Sequence, residues 1–208
     1  MLHRGDLSAL ARACAERGVR LVSDEIYHGI TYGPAAVTAL SLDDEVIVVN
    51  SFSKYYSMTG WRLGWMVVPP ALLRPIECLA QNLFISPPAL SQMAAIEAFA
   101  STDELNANVA RYARNRDILV DAMPRAGLAR FAAAEGAFYL YANIQDLGRD
   151  STTLSRQLLG DIGVALTPGV DFDPRRGHDF IRLSYAGATA DVEEAARRLI
   201  EWRRRSRP

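Results

Sequence analysis

Leu7, Leu10, Ala11 and Cys14 recur at helical spacing, so the first segment predicts an amphipathic helix over Asp6 to Arg17. Asp6 stands where an N-cap belongs, and Gly18 ends the pattern. The period then shortens. Val19 to Ser23 reads as a strand, followed by a loop rich in Gly, Pro and Tyr through Tyr32-Gly33-Pro34. Val46 to Val49 is a continuous β-branched run, the pattern expected where both faces of a sheet are covered. Leu63 to Val68 is a third strand, stopped by Pro69-Pro70.

Helical periodicity takes over from there. It predicts helices over about Ala71 to Leu83 and Ala89 to Ala100, with Ser86-Pro87-Pro88 breaking the chain between them. A longer helix runs from Thr102-Asp103 to Ala122. Shorter strands follow at Gly136 to Ala142, Val164 to Thr167 and Phe180 to Tyr185, with helices near Thr152–Leu159 and Ala190–Arg203. Strand and helix alternate in the first hundred residues, which argues a covered, mainly parallel α/β sheet. The later half mixes short strands with helices, as in a separate small α+β unit. The expected division is 1–108 and 109–208, with the long helix as bridge.

Composition changes little in this picture. Half the residues are apolar, 23% are charged, and the net charge is −1, so no bias points to nucleic acid or to a membrane. The Arg-rich end, Trp202 to Pro208, reads as a solvated helix terminus. Cys14 and Cys78 lie in helical patterns without metal-ligand spacing. With no apolar run of membrane-spanning length and no signal-peptide core after Met1, the expectation is a cytoplasmic protein without a metal site.

One compositional detail does matter. Of the 23 lysines and arginines, a single one, Lys54, is a lysine. Arginine carries charge equally well but cannot lose its proton and attack a carbonyl. The amine of Lys54 therefore has a chemical reason to be there. It sits in Ser51-Phe52-Ser53-Lys54, directly after a predicted strand, while Asp24-Glu25-Ile26-Tyr27 follows the strand before it. In open α/β sheets ligands bind beyond the carboxyl ends of strands, so both segments face one rim. Arg62 opens the third strand and joins them if that strand runs antiparallel.

Ser51-x-Ser53-Lys54 followed by Gly60-Trp61-Arg62-x-Gly64-Trp65 closely resembles the cofactor-lysine signature of fold-type I pyridoxal-phosphate enzymes, the class I/II aminotransferases. Asp24-x-x-Tyr27 resembles a second family element, and Pro168-Gly169 with Ile181-Arg182-Leu183-Ser184 resembles the C-terminal substrate-binding region. The resemblance implies the C-terminal part of a pyridoxal-phosphate-binding large domain followed by a small domain. It gives Lys54 the Schiff base to the cofactor and the later proton transfer. Asp24 pairs with the pyridine nitrogen. Tyr27 donates to the ring's 3′ oxygen. Ser51, Ser53 and Arg62 bind the phosphate, and Arg182 clamps the substrate α-carboxylate. The implied partners are a small-molecule amino acid and a 2-oxo acid, with a homodimer in the full-length form.

Each residue has a plainer rival. Asp24 can cap a loop, Tyr27 can fill a core, and Arg62 can join a structural ion pair. Arg182 lies mid-strand and needs a partner, either a substrate carboxylate or an acid such as Asp179. His28 reads as a loop residue, Trp61 and Trp65 as packing, and Gly136-Ala137-Phe138-Tyr139 as lying near the substrate pocket.

Measured against the family, the chain begins late. The segment that would supply an amide-rich phosphate turn, a ring-stacking aromatic and further strands has no counterpart here. Three explanations stay open: a longer native protein, a truncated gene product, or a second chain that supplies the rest. The isolated polypeptide is expected to expose apolar strand edges and to be a poor enzyme. A C–S lyase or synthase on the same lysine framework and a non-catalytic remnant remain as alternative functions.

Overall fold

Leu7 and Ala11 are one helical turn apart, and both are buried in helix α1, Arg4–Glu16. The cap is His3 and not Asp6: His3 is extended, and its carbonyl accepts the Leu7 amide at 3.0 Å. Asp6 falls inside the first turn, where a carboxylate still suits the helix dipole. The computed structural model describes residues 1–206, so Arg207 and Pro208 of the Arg-rich end lie outside the described residues. The chain divides into two compact units, Met1–Val109 and a second starting at Ala110. No helix among the described residues is long and apolar enough to cross a membrane.

The first unit holds a three-stranded sheet in the order β1-β2-β3, with β1 Val22–Asp24, β2 Ile47–Ser51 and β3 Gly64–Val67. β1 and β2 are parallel, pairing Asp24 with Val49. β3 runs antiparallel to β2, pairing Ser51 with Gly64. Parallel pairing is thus confined to β1–β2, and the sheet of the described residues is mixed. Its strands are also less covered than the β-branched run suggests. Val46 and Val48 are buried, whereas Val22 is 58% and Met66 51% exposed.

The buried side packs Leu7 of α1 with Ala39, Val46 and Val48. A second cluster joins Phe52, Met58 and Leu63 to Ala95 of helix α3, Ala89–Ala98. Tyr56, Trp65 and Phe99 ring Phe52 with centroids 4.8, 5.0 and 5.4 Å away. Trp65 is therefore packing, as its sequence position suggests, and Trp61 is solvent-exposed. Phe52, Tyr56 and Met58 of the segment after β2 belong to this cluster, so the loop that carries Lys54 is anchored in it on both sides of the lysine. Between β3 and α3 lies α2, Pro70–Leu83, with no buried residue.

The long helix α4, Thr102–Arg125, leads into the second unit. There four antiparallel strands take the order β4-β5-β7-β6, with β4 Arg130–Phe131, β5 Tyr139–Asn143, β6 Thr167–Pro168 and β7 Phe180–Ser184. β4 is a two-residue strand without a periodic signal, and the sequence does not announce it. Helices α5, Ser151–Ile162, and α6, Thr189–Arg205, bury Leu154, Leu158, Val192, Ala196, Leu199 and Trp202. Asp150 caps α5 by accepting the Thr152 and Thr153 amides at 3.1 and 3.0 Å.

On α6 the Glu194 carboxylate takes hydrogen bonds from Arg197 and Arg198, which hold its pKa down at about 2. Because the folded value lies below the ordinary one, this stabilisation is present above the ordinary carboxylate range and is lost as pH falls towards 2. A carboxyl-carbon NMR titration should find Glu194 titrating in that low range. Arg197→Ala should move its midpoint up, and added salt should narrow the difference.

Candidate active site

Parallel pairing places the carboxyl ends of β1 and β2 side by side, and β2's antiparallel neighbour returns to the same rim. Asp24 ends β1 with one carboxylate oxygen accepting the Ile26 amide at 3.1 Å. Its other oxygen makes no hydrogen bond among the described residues. The turn that follows carries Tyr27, and the Lys54 ammonium lies 5.9 Å from the centroid of the Tyr27 ring. These two loops meet through Gly29, whose φ of +91° only glycine adopts without strain. A Cβ there would lie 2.6 Å from the Tyr55 ring. Tyr55 is in turn held by Asn106, to which its hydroxyl donates at 2.9 Å.

The hydroxyls gather at the start of the same loop. Ser51 Oγ donates to the Leu63 carbonyl at 3.1 Å, accepts the Ser53 amide at 3.1 Å and sits 2.9 Å from Ser53 Oγ. Arg62 does not open β3. It lies two residues ahead of it, in a left-handed conformation with φ +52° after a short 3₁₀ turn. Its guanidinium donates to the Thr59 carbonyl at 2.9 Å and has no carboxylate partner among the described residues, contrary to the structural ion-pair alternative. Two hydroxyls, a half-buried amine and an unneutralised guanidinium within one loop form a donor set suited to a phosphate. A carboxylate and a phenol stand beside it.

Glu25 is the residue that sequence reasoning passed over. It is 4% exposed, and Oε1 accepts from Ser23 Oγ at 3.1 Å, Thr38 Oγ1 at 3.1 Å and the Ala39 amide at 2.8 Å. His28, read from sequence as a plain loop residue, sets Nδ1 3.2 Å from Glu25 Oε2. A buried carboxylate with this many donors ties the Asp24–Tyr27 turn to the segment around Thr38. The available signal was the second acid in Asp24-Glu25, one of which points away from the rim.

Arg182 belongs to the second unit. Its guanidinium carbon lies 4.4 Å from the Tyr139 ring centroid and 4.5 Å from that of Phe172, and it donates to Thr167 Oγ1 at 3.3 Å. No acid pairs with it among the described residues. Asp179 instead accepts from Gln145 Nε2 at 2.8 Å. The Nε of Arg182 is buried with no partner among the described residues, a costly arrangement in the absence of a bound anion. Phe172 sits in a loop closed at its neck by two glycines, where a Cβ on Gly177 would overlap the Gly169 carbonyl.

A sheet rim with this lysine loop and a separate α+β unit define a class of protein, and the family model for aminotransferase class I and II matches residues 1–199. The chain belongs to that family. It is 49% identical over 201 residues to the valine–pyruvate aminotransferase of Mycobacterium tuberculosis, covering 95% of this chain and 52% of that protein. Against the aspartate aminotransferase of Sulfurisphaera tokodaii it is 31% identical, covering 95% of this chain and 51% of that protein. The crystal structure of an aminotransferase from M. tuberculosis superposes with a TM-score of 0.96 at 47% identity, over 99% of this chain and 54% of that one. An aromatic aminotransferase from Pyrococcus horikoshii OT3 gives 0.89 at 30% identity, over 99% and 56%. The chain spans about half the length of the relatives it matches.

Proposed function

We propose that this chain carries the lysine-bearing half of a pyridoxal-phosphate-dependent aminotransferase, which moves an amino group between an α-amino acid and a 2-oxo acid. In this reading the first unit is part of the cofactor-binding large domain and the second is the small domain. The observation that carries it is the rim itself: Lys54 beside Tyr27, Asp24 at the end of the adjacent parallel strand, and the Ser51, Ser53 and Arg62 donors in one loop.

When bound, pyridoxal phosphate supplies an aldehyde carbon and a ring that accepts electrons from the substrate. Lys54 Nζ would hold the group at its aldehyde carbon and would be the amine placed to move the proton from the substrate Cα. Asp24 would face the pyridine nitrogen with its uncommitted oxygen and favour its protonated form. Tyr27 would donate its phenol to the ring oxygen, and Ser51, Ser53 and Arg62 would hold the phosphate. Arg182 takes the substrate α-carboxylate, which satisfies its buried Nε and orients the Cα–H bond. Its two flanking rings keep the guanidinium plane fixed.

We extend the reading to a homodimer in the cytoplasm. The exposed apolar residues Leu79, Leu83, Ile85, Leu90, Met93 and Ile96 support an interface, and the free Cys14 and Cys78 support a reducing compartment. The test is a half-reaction. The chain is loaded with pyridoxal phosphate, cleared of excess and given L-valine or L-aspartate. Conversion of the cofactor to its pyridoxamine form with release of 2-oxo acid is expected, far more slowly than in relatives of about twice this length. Release of an elimination product would favour a lyase, and no uptake of cofactor would overturn the proposal.

A further inference from the structure

Thr59 touches both sides of the anion-binding loop. Its hydroxyl donates to the Ser53 carbonyl at 2.5 Å, and its own carbonyl accepts the Arg62 guanidinium at 2.9 Å. One residue thus links the backbone of Ser53, which carries one of the phosphate-facing hydroxyls, to the cation across the loop. The link matters because the intervening turn is strained. Thr59–Trp61 is a single 3₁₀ turn, and Arg62 after it occupies a left-handed conformation that residues with a Cβ disfavour. Such a conformation persists only when neighbouring contacts over-determine it.

The far end of the turn is already pinned, since the buried Ser91 of α3 donates to the Trp61 carbonyl at 2.8 Å. At the near end the Met58 amide bonds to the Phe52 carbonyl at 3.0 Å, and the Thr59 hydroxyl adds the tie to Ser53. A β-branched side chain is stiff at χ1, so its hydroxyl stays aimed at Ser53 where a serine would sample other rotamers.

We propose that Thr59 is a positioning residue for the phosphate group: it ties the Ser53 backbone and the Arg62 guanidinium together so that both serve one phosphate. The proposal rests on the cofactor-binding reading above and adds a residue to it. Thr59 touches no reacting atom, so its effect is confined to the anion.

Two aldehydes separate this role from a general loosening of the loop. Pyridoxal phosphate and pyridoxal, which lacks the phosphate, are titrated into the full chain by absorbance, with uptake at Lys54 fixed by borohydride. Thr59→Val should weaken pyridoxal phosphate about 5- to 10-fold, the loss expected for one hydrogen bond that organises a charged contact, and leave pyridoxal unchanged. Thr59→Ser should recover affinity to within about 3-fold of wild type, because it restores the hydroxyl without the stiffness. Amide exchange at Ile47 serves as the folding control.

Equal affinity of wild type and Thr59→Val for pyridoxal phosphate would overturn the proposal while leaving the cofactor reading intact. An equal loss for both aldehydes would make Thr59 merely structural. If wild type took up neither aldehyde, the cofactor reading itself would fall, and the role of Thr59 with it.

Discussion

Replacing Lys54 with alanine is expected to abolish the covalent attachment of pyridoxal phosphate to this chain. Borohydride reduction of the wild-type complex should fix the cofactor on one tryptic peptide, the one spanning Lys54, and the variant should yield no such peptide. Composition makes the test unusually clean, because Lys54 is the only lysine in the chain and the Met1 amine lies on a different peptide. Lys54→Arg is the sharper control. It keeps a cation near the Tyr27 ring but cannot lose its proton to attack the aldehyde, so it should be as empty as alanine. A fixed adduct of undiminished yield in either variant would sink the assignment of Lys54.

The second large effect is on stability, at Glu25. Truncation to alanine removes a buried carboxylate that accepts from two hydroxyls and one main-chain amide, and leaves the Ala39 amide without a partner. Breaking such a buried charged network costs about 3–5 kcal/mol. Amide exchange reads this locally. Protection at Ile47, whose amide bonds to the Leu21 carbonyl, should fall by about 100-fold or more if the first unit opens that much more readily. Glu25→Gln keeps an acceptor at Oε1 and should retain most of the protection. Equal losses in both variants would mean that the negative charge, and not the hydrogen-bond geometry, holds the turn.

Lys54, Ser51 and Ser53 were legible because a lysine confined to one Ser-rich turn after a β-branched run is a chemical oddity. The rim position of Arg62 was legible only conditionally, on β3 running antiparallel, which it does. Its left-handed backbone was not, because nothing in Gly60-Trp61-Arg62 marks the arginine, and not the glycine, as the residue with positive φ. Glu25 was hidden because its partners Thr38 and Ala39 lie a whole loop away in sequence. Arg182 was expected to need a partner, either a substrate carboxylate or an acid such as Asp179, and aromatic faces do part of that work. The strand ends shifted for an ordinary reason. A β-branched run reports burial, whereas a strand is bounded by the pairing that a neighbour can supply.

The two glycines beneath Phe172 have a consequence for how this protein can vary. Their backbones meet in a clasp so close that neither accepts a side chain, and the residues between them, 170–176, form a hoop braced within itself by the Phe172 and Asp173 amides on the Gly169 carbonyl and the Gly177 amide on the Asp173 carbonyl. Lengthening a hoop costs little closure entropy, since that cost grows only slowly with length. Insertions at the crown would move the aromatic ring relative to Arg182 while the Thr167–Arg182 register below stayed put. The clasp therefore separates a part of the protein that must not change from one that is free to, and the reach of the ring over the arginine is the property that variation there would tune.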